Sequence, residues 1–161
     1  MNKEAVIIKG LIVEKLVKIL TETALLTKKK IEQTRRAAIE APGRMQSRYD
    51  SSKQEYSYQV DGLQKSLLKI QQGIEMLHEF KVNKLSFDKV TMGSIVQVRK
   101  NSEKIFYFIL PVGGGNVFET EQFGKITIIA PEAPITKLLL DKRKDDSVLI
   151  GSRKLCIVSV F

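Results

Sequence analysis

The stretch from Arg44 to Tyr58 concentrates the residues that could do chemistry. It carries the carboxylates Asp50 and Glu55, the cations Arg44, Arg48 and Lys53, and the rings of Tyr49, Tyr56 and Tyr58. Arginine neutralises phosphates and tyrosine stacks on bases, so contact with RNA or DNA is a physically sound reading. Asp50 and Glu55 could share a hydrated Mg²⁺, which takes one or two carboxylates plus water and substrate phosphate. A carboxylate at a helix start also favours the helix dipole, so Asp50 equally suits a capping role. Just upstream lie Lys28, Lys29, Lys30, Arg35 and Arg36. Between Lys28 and Lys53 there are eight basic residues against the three acids Glu32, Glu40 and Asp50. The expected nucleic-acid-binding set is therefore Arg35, Arg36, Arg44, Arg48 and Tyr49.

Other chemistry is thin. His78 is the only histidine and Cys156 the only cysteine, so no Ser-His-Asp, Cys-His or cysteine-rich zinc set can be assembled. His78 reads as a solvated or capping residue near a helix end, and Cys156 as a packing residue in a strand. Gly113-Gly114-Gly115 invites a phosphate-loop reading, but no Lys-Ser/Thr pair or helix follows it. A flexible surface loop is expected there. The chain is not expected to be an enzyme on its own.

Two kinds of periodicity must position these residues. From about Lys3 to Ala41 there is no proline, and no glycine after Gly10. Ile12, Leu16, Ile19 and Leu26, with Thr23 filling the gap, recur at helical spacing and predict one apolar face. Pro42-Gly43 ends that helix. Val60, Leu63, Leu67, Ile70, Ile74 and Leu77 then step alternately by three and four, a seam that asks for a partner helix. The nearest partner is the first helix, returned antiparallel. A helix of roughly 40 residues spans about 60 Å, so the charged tip, about residues 42–55, belongs to a reaching device. A bundle or a dimerising coiled coil is the plainer alternative.

After Phe80 the period changes to that of strands. Ile95-Val98, Ile105-Leu110, Gly124-Ile129, Val148-Ile150 and Leu155-Val160 are β-branched and aromatic runs, with hairpin turns expected at Asn101-Ser102 and Gly151-Ser152. Pro134 fits the first turn of a short helix with Ile135, Leu138 and Leu139 on its buried side. The fold class is α+β: an antiparallel coiled-coil hairpin over 1–81, then a small antiparallel sheet domain with one helix over 82–161. The linker falls near Val82 to Lys89.

The totals limit the partners. A net charge of +9 favours nucleic acid, anionic lipid or an acidic protein. No apolar run reaches the roughly 18 residues of a membrane span, and Lys9, Glu14 and Lys15 interrupt the first apolar segment, so neither membrane insertion nor a signal peptide is expected. A cytoplasmic monomer is the plain reading.

The C-terminal segments carry a family resemblance. Met92-Gly93-Ser94-Ile95-Val96-Gln97-Val98 is similar to the opening strand of the Gre family of transcription elongation factors. Ala133-Pro134-Ile135-Thr136-Lys137-Leu138-Leu139-Leu140-Asp141-Lys142 resembles that family's Ser-Pro-Ile-Ala-x-Ala-Leu-x-Gly-Lys helix, and Asp146-Ser147-Val148 falls at its Gly-Asp-x-Val. The resemblance covers essentially the whole chain in the same order. It implies an FKBP-like fold for the second half and a bacterial RNA polymerase as partner, with nascent RNA within reach. The coiled coil would enter the polymerase secondary channel, and Ala133, Pro134 and Ile135 would lie in the docking region. It also implies that Asp50 and Glu55, as tip acids, help hold a Mg²⁺ shared with the polymerase active site, promoting cleavage of backtracked RNA. The chain itself would bind no cofactor of its own.

The departures are specific. The family tip is close to Gly-Asp-Leu-x-Glu-Asn-x-Glu-Tyr, whereas Tyr49-Asp50-Ser51-Ser52-Lys53-Gln54-Glu55-Tyr56 is one residue shorter and has Lys53 for the second acid. A lysine there repels Mg²⁺, so docking is expected to survive better than cleavage. Asp141 and Asp145 stand where the family's C-terminal motif has glycines. The alternative of another class is a coiled-coil adaptor whose basic tip binds RNA or an acidic protein without entering polymerase.

Overall fold

The computed structural model describes residues 3–40, 52–80, 89–151 and 153–161. The expected turn at Pro42-Gly43 and most of the expected linker lie outside them. Helix α1 runs from Lys3 to Glu40 and α2 from Ser52 to Glu79, together a long helical hairpin. Six strands and a short helix follow: β1 (Ile95–Lys100), β2 (Glu103–Ile109), β3 (Val117–Thr120), β4 (Gly124–Ile129), α3 (Pro134–Leu139), β5 (Ser147–Ile150) and β6 (Arg153–Val160). The chain is thus α+β. Two compact units divide it, one of residues Met1–Leu16 with Met76–Phe161 and the other of Val17–Glu75.

In α2 the expected seam is the inward face: Val60 and Leu77 are buried, with Leu63, Leu67, Ile70 and Ile74 half-buried. In α1 the expected face is wrong beyond Leu16. Ala5, Lys9, Ile12, Leu16, Ala24 and Ile31 are buried, with Leu20, Thr27 and Thr34 half-buried between them. Ile19 and Leu26 are instead 39% and 64% exposed. Three successive steps of four, from Ile12 through Leu16 and Leu20 to Ala24, insert a stutter that moves the stripe by one residue. Thr23 is exposed, and its hydroxyl donates to the Ile19 carbonyl at 2.8 Å.

The sheet has strand order β3-β4-β2-β1-β6-β5. It is not wholly antiparallel: β4 lies between β3 and β2 and pairs parallel with β2, Phe106 opposite Ile126 through Ile109 opposite Ile129. Strand β3 was not evident in the sequence because Val117–Thr120 is a four-residue edge strand with only Phe118 buried. The Asn101-Ser102 turn between β1 and β2 does form, with Asn101 at φ 55, as a two-residue hairpin requires.

One face of the sheet packs on α3. Val96, Val98, Ile109, Ile129, Val148, Leu155 and Ile157 form a continuous buried cluster with Val90 and Leu139. In α3, Thr136 and Leu139 are buried and Ile135 is half-buried, whereas Leu138 is exposed. The buried stripe runs through 135, 136 and 139, and Leu138 falls outside it at 100° per residue. On the opposite face Phe106 packs tilted against Phe123, and Phe123 meets Phe161 edge to face, with centroids 5.3 and 5.1 Å apart.

The three glycines are not a flexible loop. Gly115 N–H donates to the Ile128 carbonyl at 2.9 Å, and the Asn116 side-chain amide donates to the Gly113 carbonyl at 2.8 Å. Gly113 has φ 86, and a Cβ placed there would sit 2.5 Å from a methyl of Leu16. Glycine is needed at Gly113 on both grounds: the left-handed backbone and the close approach of α1.

Candidate functional site

The basic face of α1 is set by helical spacing alone. At 100° per residue Lys28, Lys29, Arg35 and Arg36 fall within an arc of roughly 120°, with Lys30 outside it. All five are exposed, and the buried stripe through Ile31 lies on another side. Arg36 donates to Glu32 at 2.8 Å in an exposed i,i+4 pair, the orientation that also favours the helix dipole. Lys29, Glu32, Gln33 and Arg36 border a shallow hollow of about 200 Å³. Lys28, Lys29 and Arg35 therefore remain as unpaired cations on this face among the described residues, able to meet phosphates.

At the far end, Glu55 lies in the first turn of α2, exposed and without an ion pair among the described residues. Lys53 is exposed two residues earlier, and two residues on a helix are 200° apart, so the lysine and the carboxylate point to different sides. Tyr58 is 66% exposed, and its hydroxyl accepts from the Gln54 side chain at 2.9 Å. Asp50, Arg44, Arg48 and Tyr49 lie outside the described residues. The structure consequently brings together Arg35 and Arg36, and places Glu55 at the start of the returning helix. One carboxylate suits a share in a Mg²⁺ held mainly by other ligands, and not a self-contained metal site. Among the described residues no group of three or more metal-ligating side chains comes together.

The expected docking region is built on a local stop. Ala133 is extended at φ −63 and ψ 135, and Pro134 occupies the first helical position of α3, where its missing N–H costs nothing. The Thr136 hydroxyl donates to the Ala130 carbonyl at 2.7 Å and ties the helix start to the end of β4. Pro134 is exposed, while Ala133 and Ile135 are half-buried, with Ile135 packed against the core. Only the proline ring is freely presented.

Beyond α3 the chain reverses twice, at Asp141 with φ 66 and Asp145 with φ 70. Both are left-handed positions that glycine adopts at least cost. Asp141 N–H donates to the Val90 carbonyl at 3.0 Å and Asp145 N–H to the Ile157 carbonyl at 2.9 Å. The Asp141 carboxylate also pairs with Lys89 at 2.7 Å.

Two features were not singled out in the sequence. A groove of about 670 Å³ lies between the start of α1 (Ile7, Ile8, Leu11) and the Phe118–Gln122 segment; its walls are mainly apolar, with Glu4, Lys15 and Thr120 among the polar residues that line it. Lys9 is fully buried, and burial lowers its amine from the ordinary 10.5 to about 8. A four-residue step from Ala5 to Lys9 was the available signal for the second. Among the described residues no helix is long and apolar enough to cross a membrane.

No family model and no curated protein matches the chain. Among solved structures it is similar to GreA factor homolog 1 (Gfh1) of Thermus thermophilus, at 17% identity over 90% of this chain and 94% of that one, with a TM-score of 0.38. A structure of the transcription factor Gfh1 gives 17% identity, 89% and 92% coverage and a TM-score of 0.37. Gfh1 of Thermus aquaticus gives 13%, 89%, 92% and 0.34. Similarities at this level do not decide what the chain does.

Proposed function

We propose that this chain is a Gre-type transcription elongation factor that binds RNA polymerase and acts on paused or backtracked complexes by placing its helical hairpin in the secondary channel. The observation that carries this reading is the backbone at Asp141 and Asp145. The family resemblance puts glycines at these two positions, and both aspartates hold the left-handed conformation natural to glycine. The main departure in the C-terminal motif is therefore one of residue type and not of chain path. The rest of the support is the order of elements, with the basic face of α1 ahead of the tip and an exposed Pro134 opening α3.

In this reading the chain stimulates little cleavage. Glu55 would contribute one carboxylate to a Mg²⁺ held by the polymerase, a metal that activates water and stabilises the leaving oxygen. Lys53 adds positive charge at the same tip, which lowers the local concentration of cations. The chain's own part is to occupy space and to meet anionic groups of the polymerase and its transcript with Lys28, Lys29 and Arg35.

The test adds the purified protein to stalled, backtracked elongation complexes and scores retention and RNA shortening together. Retention with little shortening is expected, and Lys53→Glu should increase shortening several-fold. Salt-sensitive binding to free RNA without retention on polymerase would reject this reading in favour of the adaptor.

A further inference from the structure

We propose that the exposed, cation-bearing end of the sheet face turned away from α3 is a docking surface for an acidic α-helix of a partner protein. Strand alternation puts Arg99, Lys104, Lys154, Cys156 and Leu149 on this face, because their neighbours Val98, Ile105, Leu155, Ile157 and Val148 belong to the α3-side core. The registers then fix the pattern. Lys104 is directly opposite Arg99, Arg99 is directly opposite Cys156, and Lys154, two residues from Cys156, is directly opposite Leu149. Three cations thus occupy three adjacent strands, β2, β1 and β6, and an apolar side chain closes the row on β5.

This arrangement is unfavourable for the chain by itself. Like charges directly opposite each other destabilise a sheet. Arg99, Lys104 and Lys154 are all exposed, and among the described residues no ion pair reaches any of them. Leu149, 65% exposed, adds an apolar side chain with no cover. A negatively charged partner with one apolar anchor would relieve both.

Spacing selects the class of partner. Directly opposite residues on neighbouring strands have Cβ atoms about 5 Å apart, and diagonal ones about 7–8 Å. Carboxylates at i, i+3 or i+4 on a helix are about 5–6 Å apart, so a helix laid across the strands can set successive acids against Lys104, Arg99 and Lys154. A leucine one further turn along would meet Leu149. Single-stranded nucleic acid fits less well, because its sheet platforms use exposed aromatic rings for stacking. The nearest ring on this face, Phe106, is packed against Phe123. The surface lies on the opposite side of the sheet from α3 and goes beyond the polymerase reading, and no polymerase enters its test.

The test uses the full chain, with backbone amide shifts followed by NMR. The probe is an alanine-rich helical peptide with glutamates at i, i+4 and i+7 and leucine at i+11. The controls are a scrambled peptide of the same composition and a uridine-rich single-stranded RNA of equal charge. Expected are perturbations confined to the β1 end, the β2 start, β5 and β6, with the helical peptide bound more tightly than the scrambled one. Arg99→Gln and Lys104→Gln should each weaken binding roughly two- to fivefold while leaving the melting temperature equal or higher, which separates lost binding from lost folding. Equal binding of the scrambled peptide, a tighter RNA complex on the same residues, or perturbations centred on Lys28–Arg36 would each overturn the proposal.

Discussion

Asp145 spends its backbone in a conformation that suits another residue. An L-residue in the left-handed region is strained by its Cβ, though aspartate tolerates it better than most. Asp145→Gly is expected to stabilise the fold by about 0.5–1 kcal/mol, because among the described residues the side chain makes no ion pair that would be lost. Asp141→Gly should gain less, since it gives up the exposed pair with Lys89. Urea denaturation of the two variants gives the ranking, and a loss of stability in Asp145→Gly would contradict it. Lys9 poses the opposite problem, a buried charge with no carboxylate paired to it among the described residues. Burial holds its amine at about 8, below the ordinary 10.5, so between those values the unfolded chain binds more protons than the folded one. Stability therefore rises with pH through that window, and below about pH 8 the cost of burying the charge is present in full. Lys9→Met should raise stability at pH 7 by about 1–2 kcal/mol and flatten the rise toward pH 10. An unchanged slope between pH 8 and 10 would place the titration elsewhere.

The elements were legible where their period is strict and local. The three-four seam of α2 and the β-branched runs of β1, β2, β4 and β6 show in the residues because each is fixed by neighbours within a turn or a strand. The α1 face after Leu16 was not, because Ile19 and Leu26 continue a heptad that the stutter at Leu16-Leu20-Ala24 abandons, and exposed leucines look like buried ones in sequence. The parallel place of β4 and the edge strand β3 depend on long-range pairing, to which local pattern is blind. The triple glycine was misread for the same reason, since its requirement comes from Leu16, nearly a hundred residues away. Gly113→Ala is accordingly expected to destabilise by about 1–3 kcal/mol, from left-handed strain together with overpacking against the Leu16 methyls. A Gly113→Ala/Leu16→Ala double variant tests the cause: it should recover part of the overpacking loss relative to the two single changes, and strict additivity would sink the contact explanation. Of the candidate site, Arg35, Arg36 and Glu55 were singled out by residue type and spacing, and Pro134 by the family resemblance. The open cation row was not, because it exists only once three strands are in register.

At the scale of the molecule, a helical hairpin with a basic face is joined to a sheet domain whose chain reverses at Asp141 and Asp145 in the left-handed conformation. In the proposed function the hairpin's cations act on RNA polymerase and not on RNA alone. Direct binding of the full chain to core polymerase tests this best, with wild-type protein beside a variant in which Lys28, Lys29 and Arg35 are changed to glutamate. Those side chains are exposed, so the variant should fold as the parent does. Saturable binding by the wild-type chain is expected, weakened at least tenfold by the charge reversal and lost when Pro134 is also changed to Asp. Absence of binding to core polymerase by the wild-type chain, with free RNA still bound, would contradict it.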